Sequence, residues 1–124
     1  MKAAKAIGVK GGWLMLSKEA SSDLVEGMRG VFGDQLLSVV LYGSVARGDD
    51  TPESDVDIAL FLREPLRYEE QEKMISCIVD LDWKYDKVFS PIDIQQSMYE
   101  EWVEDLPFYR NIREDGIVLW TAAT

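Results

Sequence analysis

Apolar and polar residues alternate most strictly at Asp55-Val56-Asp57-Ile58-Ala59-Leu60-Phe61-Leu62. Val56, Ile58, Leu60 and Leu62 fall on one side, and Asp55, Asp57, Ala59 and Phe61 on the other. A period of two marks a strand, because successive side chains leave opposite faces of the pleat. Val88 to Gln95 repeats the pattern, with Ile92 and Ile94 opposite Asp93 and Gln95. Leu36 to Tyr42 is a continuous apolar run rich in valine and leucine, which reads as a buried strand, and Ile117 to Trp120 reads as a short last one. Between the strands the period lengthens. Leu24, Val25, Met28 and Phe32 share one helical face, with Ser17 placed to cap its start and Gly33 its end. Tyr68 to about Tyr85 is helical in composition, with Met74, Ile75, Ile78, Val79 and Trp83 near one stripe. Ser97 and Glu100 form a Ser-x-x-Glu capping box, Pro107 suits the first turn of another helix, and Gly116 suits its end. The expectation is an α/β (α+β) fold: a small mixed sheet of three to four strands flanked by helices. Residues 1–16, interrupted by Gly8, Gly11 and Gly12, read as an N-terminal arm, and 17–124 as the domain.

Composition narrows the chemistry. The 124 residues make one domain's worth of chain, and 47% are apolar, enough for a core. No run approaches the roughly 18 apolar residues of a membrane span, and Trp13-Leu14-Met15-Leu16 is too short for a signal-peptide core. The single cysteine, Cys77, cannot form an internal disulfide and reads as a small buried apolar residue. A cytoplasmic location is therefore expected, without a membrane partner. There are 13 basic and 23 acidic side chains, a net charge of −10. Nucleic-acid affinity comes from Lys and Arg neutralising phosphates, so direct nucleic-acid binding is disfavoured, whereas a basic protein would be attracted. The chain has no histidine. That removes Ser-His-Asp triads, Cys-His pairs and histidine metal sites, and leaves carboxylates, hydroxyls, Lys, Arg, Tyr and a metal held by oxygen.

One constellation fits that restriction. Gly43-Ser44-Val45-Ala46-Arg47-Gly48 ends one expected strand, and Ser54-Asp55-Val56-Asp57 opens the next. Residues i and i+2 on a strand share a face, about 6.5 Å apart along it. Two ionised carboxylates there repel unless a cation lies between them, and hard oxygen donors suit Mg²⁺ shared with substrate phosphates. A Gly-Ser bend lets backbone N–H groups and a hydroxyl approach phosphate oxygens closely. Each half alone is common: Asp-x-Asp occurs on solvated strand edges and Gly-Ser in ordinary turns. Together, at this spacing, they should arise by chance in roughly one chain of this length in a thousand. Arg47 suits bidentate phosphate recognition, or alternatively pairs with Asp49 or Asp50. Ser54 orders the turn before Asp55. Glu69, Glu70 and Glu72 read as a solvated helix face; Glu100, Glu101, Glu104 and Asp105 read as the same, or as a surface for a basic partner. The tryptophans and tyrosines fill the core or a partner surface.

These two segments resemble the signature of the DNA polymerase β nucleotidyltransferase superfamily, and the chain's small size is similar to its minimal branch, the MNT proteins. The resemblance spans roughly Leu36 to Trp120, and the segment from Ile112 to Trp120 is similar to that branch's C-terminal pattern. It implies a polymerase β-like core in which Gly43 and Ser44 hold the triphosphate of an NTP, ATP above all. Asp55 and Asp57 would bind two Mg²⁺ ions. A third carboxylate on a neighbouring strand would complete the metal and catalytic set. Asp93 is the expected one, because it alternates with Ile92 and Ile94, whereas Asp80, Asp82 and Asp86 lie on or after a helix.

The resemblance also implies a role. Similar MNT proteins pair with HEPN toxins, which are helical RNases, and act as antitoxins by transferring AMP to a toxin tyrosine. The acidic chain suits docking on a basic HEPN partner. A second class of function is a binding antitoxin that occludes such a partner without transfer. Nucleotidyl transfer to a small molecule ranks third, because those enzymes carry a further acceptor-binding domain.

Overall fold

The computed structural model describes residues 16–123. The expected arm thus lies outside the described residues except for Leu16, which is buried in the core. Helix α1 (Lys18–Phe32) opens where Ser17 Oγ accepts the Ala20 N–H at 3.1 Å, and closes at Gly33, whose φ is +56°. A 3-10 turn (Gly33–Gln35) leads into β1 (Leu36–Tyr42). Then come a short helix, α2 (Gly43–Arg47), β2 (Val56–Leu62), α3 (Tyr68–Tyr85), β3 (Phe89–Gln95), α4 (Gln96–Trp102), α5 (Pro107–Asp115) and β4 (Ile117–Thr121). The order across the sheet is β3-β2-β1-β4. β1 is antiparallel to both β2 and β4, while β3 runs parallel to β2, with α3 as the crossover a parallel pair requires.

Each face of this mixed sheet has its own core. On one face Val39, Leu41, Val56, Ile58, Leu60 and Leu62 pack against Leu24, Met28 and Phe32 of α1 and Met74, Ile78 and Leu81 of α3. On the other, Val40, Ala59, Phe61 and Ile94 pack against Ile112 of α5, with Ile92, Tyr42, Tyr99 and Tyr109 around them. α1 and α3 approach closely because Gly27 faces Cys77: a Cβ on Gly27 would run into the Cys77 sulfur. At the ends of the same pair, Asp23 accepts from Lys84 at 2.7 Å and from the Tyr85 hydroxyl.

Three local expectations are corrected. The α3 stripe divides: Met74 and Ile78 are buried together with Leu81, whereas Ile75 and Val79 are exposed and Trp83 is 85% exposed. Those two sets centre about 130° apart around the helix, so they cannot face one surface together. Glu70 is no solvated residue but only 5% exposed; its carboxylate accepts from the Arg67 N–H at 3.0 Å and the Arg67 guanidinium at 2.9 Å. Ser97 does not cap α4, which starts one residue earlier without a side-chain cap; instead Gln96 donates to Glu100 at 2.9 Å.

Candidate active site

The site forms where β1 ends and β2 begins. Antiparallel pairing sets Tyr42, the last residue of β1, directly against Asp57. The chain then turns into α2 through Gly43, whose φ of +78° is a left-handed conformation that other residues adopt only under strain. The Asp57 carboxylate lies over Gly43 in the space a Cβ would fill. Gly43 is therefore required twice, for its backbone angle and for the room it leaves. α2 ends at Gly48, φ +80°, whose N–H returns to the Ser44 and Val45 carbonyls.

From Gly48 a polar turn leads back to the strand. Ser54 orders it, as its Oγ accepts the Thr51 N–H at 2.9 Å. Asp55 then stands just before β2, exposed, and its Oδ2 accepts a hydrogen bond from Ser90 Oγ at 3.2 Å. Ser90 is the β3 register partner of Asp57. Asp55, Asp57, Ser90, Tyr42 and Gly43 thus gather at one place on one side of the sheet.

The electrostatics suit a cation. Burial pushes the Asp57 carboxyl above the ordinary aspartate range, the charge of Asp55 pushes it further, and Arg47 partly offsets both. Burial and the Asp57 charge likewise raise the Tyr42 phenol. A half-buried carboxylate with a second one beside it presents hard oxygen donors with a charge to neutralise, so the residues fit a divalent cation. Among the described residues no cluster of three or more carboxylate or thiol ligands gathers anywhere.

Arg47 lies within electrostatic reach of Asp57, yet its guanidinium also meets Asp49 at 3.3 Å and Asp115 at 3.6 Å. It ties the end of α2 to the end of α5. A 340 Å³ cleft opens beside the turn, lined by Val45, Asp50, Ser54, Val56, Asp82 and Lys87, but neither Asp55 nor Asp57 lines it.

Asp93 is not brought to this place. In β3 it pairs with Leu60, three positions along from the Asp57–Ser90 pair. Paired residues of neighbouring strands share a face, and an odd step reverses it, so Asp93 belongs to the Leu60 side. Ile92 and Ile94, expected to oppose the carboxylates, instead share the Asp57 face, as their packing beside Phe61 and Ala59 attests. Asp93 is exposed and borders a shallow pocket with Glu64, Gln95 and Met98. The strand residue beside Asp57 is Ser90, which the sequence reading passed over, as it did Tyr42. The alternation from Val88 to Gln95 already sets Ser90 on the side of Ile92 and Ile94, a signal that becomes useful once the register is known.

The chain is similar to proteins already known. A protein of Methanocaldococcus jannaschii named "Putative protein adenylyltransferase" is 33% identical over 79 residues, covering 64% of this chain and 80% of that one. A second so named from the same organism is 28% identical over 106 residues, covering 86% of this chain and all of the other. Among solved structures, a chain from a toxin–antitoxin crystallised with AMP-PNP superposes with a TM-score of 0.57 at 16% identity, covering 82% of this chain and 73% of its own. A chain from the complex of tri-AMPylated Shewanella oneidensis HEPN toxin with MNT antitoxin gives 0.54 at 15% identity, covering 85% and 72%. At such identities the superpositions speak for the fold. Residues 25–109 match the nucleotidyltransferase domain family, most of the strands and helices that build the site included, and the chain belongs to that family.

Proposed function

We propose that this protein transfers AMP from ATP to a tyrosine hydroxyl of a basic HEPN-family partner, with Mg²⁺ held by Asp55 and Asp57, and thereby acts as an antitoxin. The observation that carries the reading is the Asp57 carboxylate seated on Gly43 beside Asp55. The names of the relatives, protein adenylyltransferases and toxin–antitoxin complexes, support the acceptor class. The net charge of −10 supports a basic protein over a nucleic acid. No described helix is long and apolar enough to cross a membrane.

In this reading Asp55 and Asp57 bind the cation, and Ser90 holds the Asp55 carboxylate in place. Gly43 and Ser44 lie against the phosphates, with Arg47 beside them. Transfer forms a bond between the acceptor oxygen and the α-phosphorus and breaks the bond to pyrophosphate, and the proton of the acceptor hydroxyl passes to water. Magnesium, when bound, neutralises charge on the phosphates and the departing pyrophosphate. Positioning is the chain's main contribution, because such transfers need little covalent help from the protein.

Intact-mass spectrometry of a HEPN-family partner incubated with this protein, ATP and Mg²⁺ tests the reading. An added AMP unit is expected, absent with Asp55→Asn or Asp57→Asn. No adduct in the presence of a bound partner would overturn it. The exposed Ile75, Val79 and Trp83 on α3 favour a second reading, an antitoxin that occludes its partner without transfer. Neutralisation of the partner that survives both aspartate substitutions would select it.

A further inference from the structure

We propose that Phe108 is the nucleobase platform of this site, an aromatic surface on which the base of the bound nucleotide stacks; the inference rests on the nucleotide reading above. Phe108 follows Pro107 in the first turn of α5 and is 47% exposed. It is nonetheless firmly held. Its ring meets Tyr42 edge to face at 5.8 Å and 89°, and lies 6.2 Å from Tyr109. Tyr109 meets Tyr99 at 5.5 Å, and Tyr99 meets Phe61 of β2 at 4.8 Å. A ladder of aromatic rings therefore runs from the core to an exposed ring beside Tyr42, the strand partner of Asp57.

The helix that carries Phe108 is clamped on both sides of the site. Phe108, Ile112 and Asp115 stand at i, i+4 and i+7, one face of α5. Ile112 is buried in the core, and Asp115 reaches Arg47 at 3.6 Å. α5 consequently spans from the Tyr42 end of the site to the far end of α2, with the phenyl ring at the first and the guanidinium at the second.

A nucleotide has one highly charged end and one flat, neutral aromatic end. The carboxylates with their cation, the Gly43–Ser44 bend and Arg47 serve the charged end. Arg47 is already shared with two aspartates in a chain of net charge −10, so cationic attraction here is weak. Stacking on a fixed ring adds affinity without charge and without desolvating a polar group. No other ring in the ladder is as open: Tyr42, Tyr99 and Tyr109 are half-buried.

The platform is tested by calorimetry on the full chain with Mg²⁺, titrating ATP and, separately, inorganic tripolyphosphate, which has the charged end and no base. Phe108→Ala is expected to weaken ATP about tenfold or more while leaving tripolyphosphate nearly unchanged, the size of loss usual for removing a base–aromatic stack. Phe108→Trp should restore ATP binding. Phe108→Leu, which keeps apolar bulk without a π face, should resemble alanine and carries the test should alanine disturb folding. ATP affinity that is indifferent to Phe108→Ala, or a parallel loss of both ligands, overturns the platform. A wild-type chain that binds both ligands, losing both in Asp57→Asn, places any such failure on Phe108 alone. A wild-type chain that binds neither overturns the nucleotide reading, and the platform with it.

Discussion

On one face of the sheet Val39, Leu41, Ile58 and Leu60 are sealed under α1 and α3, whereas on the other Tyr42, Asp57 and Ser90 lie half open between α2 and α5. The sealed face is almost wholly aliphatic. The open face mixes aromatic rings, carboxylates and one left-handed glycine. Two parallel ladders of alternate residues on the same four strands therefore do different work. The sealed set supplies burial, which stabilises in proportion to apolar area removed from water. The open set tolerates a raised carboxyl because the stability for it comes from the opposite side of the same strands.

The largest expected effect lies on the sealed face. Ile58→Ala should destabilise by about 2–5 kcal/mol through lost burial and the cavity left behind, whereas Tyr99→Ala on the open face should cost about 1–2 kcal/mol. Urea unfolding of both variants measures the gap, and equal losses would break the comparison. Next comes Gly43→Ala, at about 1–3 kcal/mol from the left-handed backbone alone. Its new methyl also displaces the Asp57 carboxylate, so magnesium-dependent ATP binding should fall with it; retained binding would show that the seat on Gly43 is not needed.

Glu70 sharpens the sealed side and fixes a pH dependence. Burial pushes its carboxyl up, but hydrogen bonds from the Arg67 N–H and guanidinium and from Gln35 outweigh that and hold it below the ordinary glutamate value. A depressed folded value contributes stability above the unfolded pKa of 4.5 and loses it as pH falls through the folded value. Glu70→Gln should therefore cost about 1–2 kcal/mol near neutral pH. The gap from wild type should close as the solution is acidified below 4.5, visible in thermal melts across that range. The smallest effect has the opposite sign. Asp57→Asn removes a half-buried carboxylate whose ionised form burial and Asp55 disfavour. In magnesium-free buffer it should raise stability by less than about 1 kcal/mol, the trade expected where function retains an unfavourable charge. A lower melting temperature for this variant would show that the carboxylate is structural.

Much of this is legible along the chain. The alternation in Asp55–Leu62 and the apolar run of Leu36–Tyr42 appear as β2 and β1 within a residue, because each pattern is complete within its own segment. The Gly43-Ser44 and Asp55-x-Asp57 segments meet for a similar reason: they flank one short connection between consecutive strands. The short helix α2 was less visible, since five residues are too few to display a helical period. The face of α3 was misjudged because periodicity locates apolar residues around a helix but not the partner they meet. The positions of α1 and the sheet put Met74, Ile78 and Leu81 inside and left Trp83 out.

The amino-acid order alone was enough to establish the four strands, the longer helices, the nucleotidyltransferase pattern and the Asp55–Asp57 pair, since all of these are written in neighbours. It could not establish which residue of β3 stands next to Asp57. That depends on the hydrogen-bond register between strands separated by a helix of 18 residues. A step of three residues in that register exchanged Asp93 for Ser90, because side chains change face at every position of a strand. The aromatic ladder from Phe61 to Phe108 is likewise invisible in the chain, for its members lie on four different elements and meet only when the sheet and its helices close together.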